Sequence, residues 1–326
     1  NVNKNKIFTN SEISHALNEY DSEYAHNRSW NFIGNPYGTY YDIRFLNYDS
    51  PLTVYNGNGY TAYSPLDDAY ILSPMEGFFV QKPAGESAIT FNPDGRQIDT
   101  AVRDLTAATT MSMTTSGLSR KLYDLTLTDA DGAKDMTRVV LNQEMTMDYD
   151  MSCDASKFMS ENASASQLYT HYNSVQYAIN ERPMSDGNIN LGYYVGKDGE
   201  YTISLSRATS NKALYLIDKK TNSSTRLDIV GNYTFTAEAG SDDSRFVLSF
   251  NDISGIEDVE NIDSSVIGGN SSIIVKTEIG REVKVYNISG QMVTFATAND
   301  TETIMNVAPG CYVVTVGQNV YKTIVQ

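Results

Sequence analysis

Short apolar runs separated by turn residues dominate the chain. Residues 52–60 contain the sequence Asn-Gly-Asn-Gly at 56–59, which is typical of a hairpin turn because glycine, and to a lesser degree asparagine, adopts left-handed backbone conformations at low cost. Residues 122–128 alternate with the period of a strand, and a turn at 129–132 follows. Such closely spaced strands, without long helical patterns between them, predict an all-β fold of antiparallel sandwiches or jelly rolls.

The start of the chain carries the one pattern with helical character. Ser11 suits a helix N-cap, and Ile13, Leu17 and Tyr20 follow at spacings near one helical turn. The prediction therefore allows one short N-terminal helix ahead of the strands.

Composition shifts divide the chain into domains. Residues 101–117 are rich in Thr, Ala, Ser and Met, which favours a boundary between a β-rich domain at 1–100 and a β-sandwich at 101–250. Residues 251–270 are acidic and then rich in Gly and Ser, as linkers are. The prediction is two sandwich-like or jelly-roll-like units followed by a small immunoglobulin-like β-sandwich at 271–326.

The charge of the chain excludes one class of partner. The 326 residues carry a formal net charge of −16, and the pI is near 4.5. Because nucleic acids are bound chiefly through Lys and Arg, we expect no nucleic-acid partner. We also expect no transmembrane segment, because no apolar run approaches the roughly 20 residues that a spanning helix needs. Cys153 and Cys311 lie far apart in the sequence, and two free thiols are expected.

A pattern in the last domain resembles a known family. A strand ends in a Tyr-Asn-x-x-Gly turn, a Pro-Gly turn precedes a Tyr-containing strand, and the final strand carries Lys; the residues are Tyr286, Asn287, Gly290, Gly310, Tyr312 and Lys322. This pattern resembles the C-terminal sorting domain of the type IX secretion system in Bacteroidetes. Segments upstream, including residues 30–37, resemble β-rich regions near the C-termini of large Bacteroidetes surface proteins.

The resemblance carries expectations about location and partners. It implies a protein that is secreted or held at the outer cell surface and that associates with the outer-membrane export machinery during sorting. It also implies that these residues are the C-terminal region of a longer, adhesin-like polypeptide. A protein or glycan ligand at the cell surface is the expected partner.

Catalytic constellations are scarce in the sequence. Only His15, His26 and His171 are available as imidazole bases, and no Gly-x-Ser-x-Gly elbow occurs. Cys153 stands in an acidic context that raises a thiol pKa. The carboxylate pairs at 67–68 and 242–243 are interpreted as solvated turn residues. The chain is therefore predicted not to be an enzyme and to need no cofactor.

Calcium is the metal considered for the chain. Three carboxylates surround the turn at Gly132, namely Asp129, Asp131 and Asp135. Alternating oxygen ligands of this kind bind calcium in loops, but Ala133 and Val140 stand where an EF-hand requires ligands. A tight hairpin turn is therefore the favoured interpretation.

Aromatic residues supply the ligand-binding hypothesis. Eight of them cluster early in the chain: Trp30, Tyr37, Tyr40, Tyr41, Tyr48, Tyr55, Tyr60 and Tyr63. Their flat faces suit sugar rings, and Tyr37, Tyr40 and Tyr41 are the candidate contacts. Adjacent Tyr40 and Tyr41 point to opposite strand faces, so at most one of them is available. Trp30 and Phe32 are expected to be buried.

Two functions of different class stay open. The first is a structural or adhesive module of a secreted or cell-surface protein, with a C-terminal sorting or attachment domain. The alternative is a carbohydrate-binding or glycan-processing accessory protein.

Overall fold

The chain divides into two compact units, residues 1–253 and 254–326. The computed structural model describes residues 11–102, 120–184, 188–210, 212–250, 265–268, 271–277, 280–299, 302–316 and 319–325. Strands dominate both units, so the all-β prediction is confirmed. Within the described residues, no helix has both the length and the apolar character that crossing a bilayer requires.

Ten short strands in three antiparallel sheets form the first part of unit 1. The sheets have the strand orders β1-β9-β4, β10-β3-β7 and β2-β8-β5-β6. The bounds are β1 Ile13–Ala16, β2 Trp30–Gly34, β3 Tyr40–Asp42, β4 Leu46–Asn47, β5 Leu52–Tyr55, β6 Tyr60–Tyr63, β7 Ile71–Leu72, β8 Gly77–Gln81, β9 Ala88–Phe91 and β10 Arg96–Gln97, with 3₁₀ turns at Ala25–Asn27, Ile43–Phe45 and Pro93–Gly95.

The predicted N-terminal helix is wrong. Residues 13–16 form β1, which pairs antiparallel with β9 so that Ile13 lies opposite Phe91. Ile13 and Leu17 are four residues apart, a spacing that fits one face of a helix and one face of a strand equally well. The segment forms a strand because β9 supplies backbone partners and because Ile13 and Leu17 are buried in the core.

One eleven-stranded sheet makes the rest of unit 1. Its order is β19-β18-β21-β16-β14-β15-β12-β11-β17-β20, β13 pairs with β15, and only β12 and β15 are parallel. The bounds are β11 Lys121–Asp129, β12 Lys134–Leu141, β13 Ala155–Ser156, β14 Gln167–Tyr172, β15 Val175–Arg182, β16 Asn188–Val195, β17 Gly199–Ala208, β18 Tyr215–Asp218, β19 Ser223–Arg226, helix α1 Leu227–Val230, β20 Asn232–Ala237 and β21 Gly240–Ser249.

The eleven-stranded sheet curls around its own core. Arg245 on β21 forms an ion pair with Asp218 on β18, and its Nη1 donates to the Thr236 carbonyl of the far strand β20 at 2.7 Å. Side chains therefore join the two ends of the sheet. The core between them contains Tyr123, Leu125, Leu191, Ile203, Phe235 and Phe246.

Unit 2 is a small two-sheet structure with one core. Its sheets have the orders β22-β23-β26 and β25-β24-β27-β28. The bounds are β22 Ser265–Gly268, β23 Ser272–Lys276, β24 Glu282–Asn287, β25 Met292–Thr297, β26 Glu302–Asn306, β27 Gly310–Val316 and β28 Asn319–Val325. Both sheets contribute to one apolar cluster, which includes Ile273, Val275, Val283, Val285 and Val314.

The predicted connecting segments fall mainly outside the described residues. Residues 103–117 of the predicted boundary and residues 251–264 of the predicted linker are not described. Within that linker, residues 265–268 form β22, which pairs with β23. The division of the first 250 residues into two domains stays a prediction.

A cluster of buried and half-buried ion pairs joins the first part of unit 1 to the eleven-stranded sheet. This ion-pair cluster consists of Asp67, Asp68, Arg120, Asp124, Arg138, Glu181 and Arg207. Arg138 is only 2% exposed. Its guanidinium donates to both Asp68 oxygens at 2.7 and 2.8 Å and to Asp124 at 2.6 and 3.1 Å. Asp68 follows β6, whereas Arg138 and Asp124 lie opposite each other on β12 and β11.

The interpretation of Asp67 and Asp68 as solvated turn residues is therefore wrong. Arg120 pairs bidentately with Asp67 and also with Glu181, and Arg207 contacts Asp124 and Asp68. Burial alone would lower the pKa of Arg138, but its bonds to Asp68 and Asp124 raise that pKa above the ordinary value. These carboxylates are part of the packing of unit 1.

Replacing Arg138 with Met tests the ion-pair cluster. Arg138→Met leaves Asp68 and Asp124 buried without their main partner, and we expect the free energy of unfolding to fall by about 3–5 kcal/mol. Urea unfolding followed by fluorescence of Trp30, the single tryptophan, measures the change in unit 1. Lys197→Met removes the exposed pair with Asp131 and serves as the control, with no measurable effect expected. Equal stability of the two variants would contradict a structural role for the cluster.

Candidate functional site

Six aromatic side chains form a continuous surface on the outer side of the β2-β8-β5-β6 sheet. We call this surface the aromatic face; it consists of Trp30, Phe32, Tyr55, Tyr60, Phe79 and Phe158. Alternation along β8 explains it, because Phe78 and Val80 point into the core and Phe79 points outwards. The strand register places Phe32 opposite Phe79, and Tyr55 opposite Tyr60, on that outer side.

Phe158 is the member that comes from the second part of unit 1. It follows β13, and its ring centroid lies 4.6 Å from Trp30, 5.4 Å from Phe79 and 5.4 Å from Tyr60. Further from the open rings, the outer side of the sheet is covered. Thr53, Ala62 and Gln81 are buried there. The aromatic face is thus the part of the sheet at which this cover ends.

Phe32 and Tyr55 are the open rings of the aromatic face. Phe32 is 67% exposed and Tyr55 is 54% exposed. The far end of the Phe32 ring lies over Gly77, where a β-carbon would stand only 2.3 Å from Cζ. The ring leans across β8 because residue 77 has no side chain. One side of Phe32 therefore packs on the sheet while most of the ring faces solvent.

The expected burial of Phe32 is wrong, and Trp30 is only partly buried. The alternation was correct, but these residues lie on the outer side of the sheet rather than on its core side. Trp30 packs against Phe158 and donates its indole N–H to the His26 carbonyl at 3.0 Å. Phe32 lies beyond the cover and stays exposed.

The three predicted ligand-binding tyrosines do not form an open surface. Tyr37 and Tyr41 are fully buried, stack with centroids 5.8 Å apart and pack against Phe91. Burial raises the pKa of the Tyr41 phenol far above its ordinary value. Tyr40, on the other side of β3, is half-buried. Because Tyr37 and Tyr41 are core residues, neither ring is accessible to a ligand.

The three carboxylates of the calcium hypothesis point to different partners. Asp129 accepts from the backbone N–H groups of Asp131 and Ala133, as in a tight turn. Asp131 pairs with Lys197, and Asp135 accepts from Lys157 at 2.5 Å. Nowhere in the described ranges do three or more His, Cys, Asp or Glu side chains gather in an arrangement that could hold a metal ion.

The six residues of the sorting-like pattern shape hairpins of unit 2. Asn287 accepts from the N–H groups of Ser289 and Gln291, and Gly290 has a φ of 79°, so the predicted turn is present. Tyr286 is the second-last residue of β24, and Gly310 begins β27. The hydroxyl of Tyr312 donates to the Ala308 carbonyl at 2.6 Å, which closes the second turn. Lys322 is exposed on β28.

Hydrogen bonds of Tyr149 and Asp154 hold the segment that precedes Phe158, and we call them the anchor of Phe158. Tyr149 donates to Gln81 Oε1 at 2.5 Å, and Asp154 accepts from the N–H groups of Asp150 and Glu181 at 2.9 and 2.7 Å. Burial, opposed in part by these N–H donors, raises the pKa of Asp154 to about 8. Burial and the charge of Asp154 also raise the pKa of the neighbouring Cys153 thiol far above its ordinary value. A thiol that stays protonated in this way is a weak nucleophile.

The fold and the site define a two-unit, all-β protein with an open aromatic face. Residues 38–250 match a domain of unknown function, DUF8693, and residues 254–325 match a second one, DUF6383. Because the first match covers more than half of the chain, the chain belongs to the DUF8693 family. The second match coincides with unit 2, a small C-terminal domain. No curated protein matches the chain.

The pH dependence of stability tests the anchor of Phe158. Between pH 4 and about 8 the folded state holds a proton on Asp154 that the unfolded state has released. The free energy of unfolding therefore falls as pH rises through this window, by up to about 1.4 kcal/mol per pH unit from this group. We expect Asp154→Asn, which cannot ionise, to have a flatter pH dependence in urea unfolding at pH 5 to 8.

Asp21→Asn is the matched control, because Asp21 is almost fully exposed. It should keep the pH dependence of the parent chain. If Asp154→Asn keeps it too, the carboxyl of Asp154 does not hold its proton in the folded state.

Proposed function

We propose that the chain is a non-catalytic adhesive module of a secreted or cell-surface protein and that the aromatic face contacts its ligand. The observation that carries this proposal is the exposure of Phe32 and Tyr55 within a continuous group of six rings. Apolar surfaces of this kind mark interaction sites more often than isolated exposed residues do. Aromatic side chains are also enriched among the residues that dominate binding energy.

Rigidity of the aromatic face supports a binding role. The open rings stand on paired strands, and Phe79 packs against Phe32 while Tyr60 packs against Tyr55. A ligand therefore meets side chains that lose little freedom on binding, which favours affinity.

The surroundings of the reactive side chains support a non-catalytic role. The Cys153 thiol is held protonated by burial. His171 bonds the Asp243 carbonyl at 2.9 Å, and His15 packs edge-on against Phe91. Asp67 and Asp68 are bound by arginines. These groups make contacts that serve packing.

Unit 2 is proposed to be the sorting or attachment element. The support is the Tyr-Asn-x-x-Gly turn at Tyr286–Gly290 and the Pro-Gly turn before Tyr312, which resemble the type IX sorting domain of Bacteroidetes. In this proposal, residues 271–326 engage the outer-membrane export machinery and unit 1 is presented outside the cell.

An adhesion assay tests the proposed function. Beads coated with the full chain are passed over immobilised matrix proteins, glycans and fixed cells, with and without calcium. We expect saturable retention on at least one surface and its loss in a Phe32→Ala, Tyr55→Ala double variant, because both open rings are removed. Phe295→Ala is the control, since Phe295 is 66% exposed but lies on β25 of unit 2. Retention that survives the double variant would exclude the aromatic face as the contact.

A further inference from the structure

We infer that the aromatic face binds an uncharged glycan chain, an inference that rests on the proposed adhesive function. Its two open rings stand on different strands, because Phe32 on β2 and Tyr55 on β5 are separated by β8. Neighbouring strands lie about 4.8 Å apart, so the backbones of the two residues are about 10 Å apart across the sheet. The Phe32 backbone is level with Thr53, two residues from Tyr55 along β5, but its ring leans over Gly77 of β8, towards the level of Tyr55.

The two open rings therefore border one stretch of surface that can take a glycan chain. A short oligosaccharide that lies across the sheet can contact both rings. The C–H face of a pyranose packs on an aromatic ring much as an apolar side chain does. The leaning Phe32 ring offers such a contact on its solvent side.

Neutral polar groups border the Tyr55 end of the aromatic face. The turn between β5 and β6 carries Asn58, whose Oδ1 accepts from Asn162 at 2.7 Å and whose carbonyl accepts from Ser160 at 2.6 Å. All three of these residues are exposed or half-buried. Carboxamides and hydroxyls both donate and accept hydrogen bonds, as sugar hydroxyls do.

Charge selects among glycans. The six side chains of the aromatic face are uncharged aromatic groups, namely three Phe, two Tyr and one Trp. The chain as a whole carries −16, which repels acidic polysaccharides. An uncharged glucan, mannan, galactan or xylan therefore fits this surface better than a uronic-acid or sulfated polymer.

Affinity gel electrophoresis of the full chain tests the inference. Native gels contain soluble β-glucan, starch, galactomannan, arabinogalactan or xylan, and further gels contain polygalacturonate or heparin. We expect at least one uncharged polymer to retard the chain, and Phe32→Ala and Tyr55→Ala each to weaken that binding by about tenfold, the size expected of a central contact. Phe295→Ala should migrate like the parent, and thermal unfolding followed at Trp30 shows that the variants are folded.

Gly77→Ala adds a test of ring placement. Gly77 does not have a positive φ, so its backbone accepts alanine, but the new methyl group occupies the space of the Phe32 ring. We expect this variant to keep its thermal stability and to lose glycan binding as Phe32→Ala does. Unchanged retardation of Gly77→Ala would mean that the leaning ring is not the sugar contact.

The outcomes separate this inference from the proposed function. Retardation only by acidic polymers, or by none of the polymers, overturns glycan binding at this surface. If adhesion in the bead assay depends on Phe32 and Tyr55 but survives periodate oxidation of the target and competition by the polysaccharides, the aromatic face binds protein, and the adhesive function stands. If adhesion does not depend on Phe32 and Tyr55, both proposals fail.

Discussion

The buried guanidinium of Arg138 is the constraint on which the assembly of unit 1 depends. It must be paired, because an unpaired charge in the interior costs several kcal/mol, and its partners Asp68 and Asp124 come from two different parts of the unit. The bonds from this guanidinium to both carboxylates hold the turn after β6 against β11 and β12. The same docking brings Phe158 onto the sheet that carries Trp30 and Phe79. The aromatic face is therefore a product of long-range packing rather than of one strand.

The architecture was largely predictable because strand patterns are local. Alternation over 122–128 and the Asp-rich turn after it predicted the β11–β12 hairpin, and the Asn-Gly-Asn-Gly sequence predicted the turn between β5 and β6. The turn after Tyr286 was equally legible. The N-terminal segment failed because Ile13 and Leu17 satisfy two periods at once, and only its pairing with β9 settles the choice.

The site was only partly predictable because alternation does not say which side of a sheet is covered. Tyr55 and Tyr60 belonged to the predicted aromatic cluster, but Tyr37 and Tyr41 proved to be core residues. Phe158 stands about 80 residues from Phe79 in the sequence, and no local signal joins them. The pairing of Asp68 with Arg138 was hidden for the same reason. Outward positions on consecutive strands, read together with the glycine at 77, are the signal that points to Phe32.

Hydroxyl-radical footprinting tests the central claim, that the aromatic face is the contact surface of unit 1. The chain is labelled free in solution and again while bound to the surface that retains it, and modified side chains are located by mass spectrometry. We expect Phe32 and Tyr55 to be oxidised in the free chain and protected in the bound chain, with Phe295 oxidised in both. Protection elsewhere, with Phe32 and Tyr55 still oxidised, would contradict the claim.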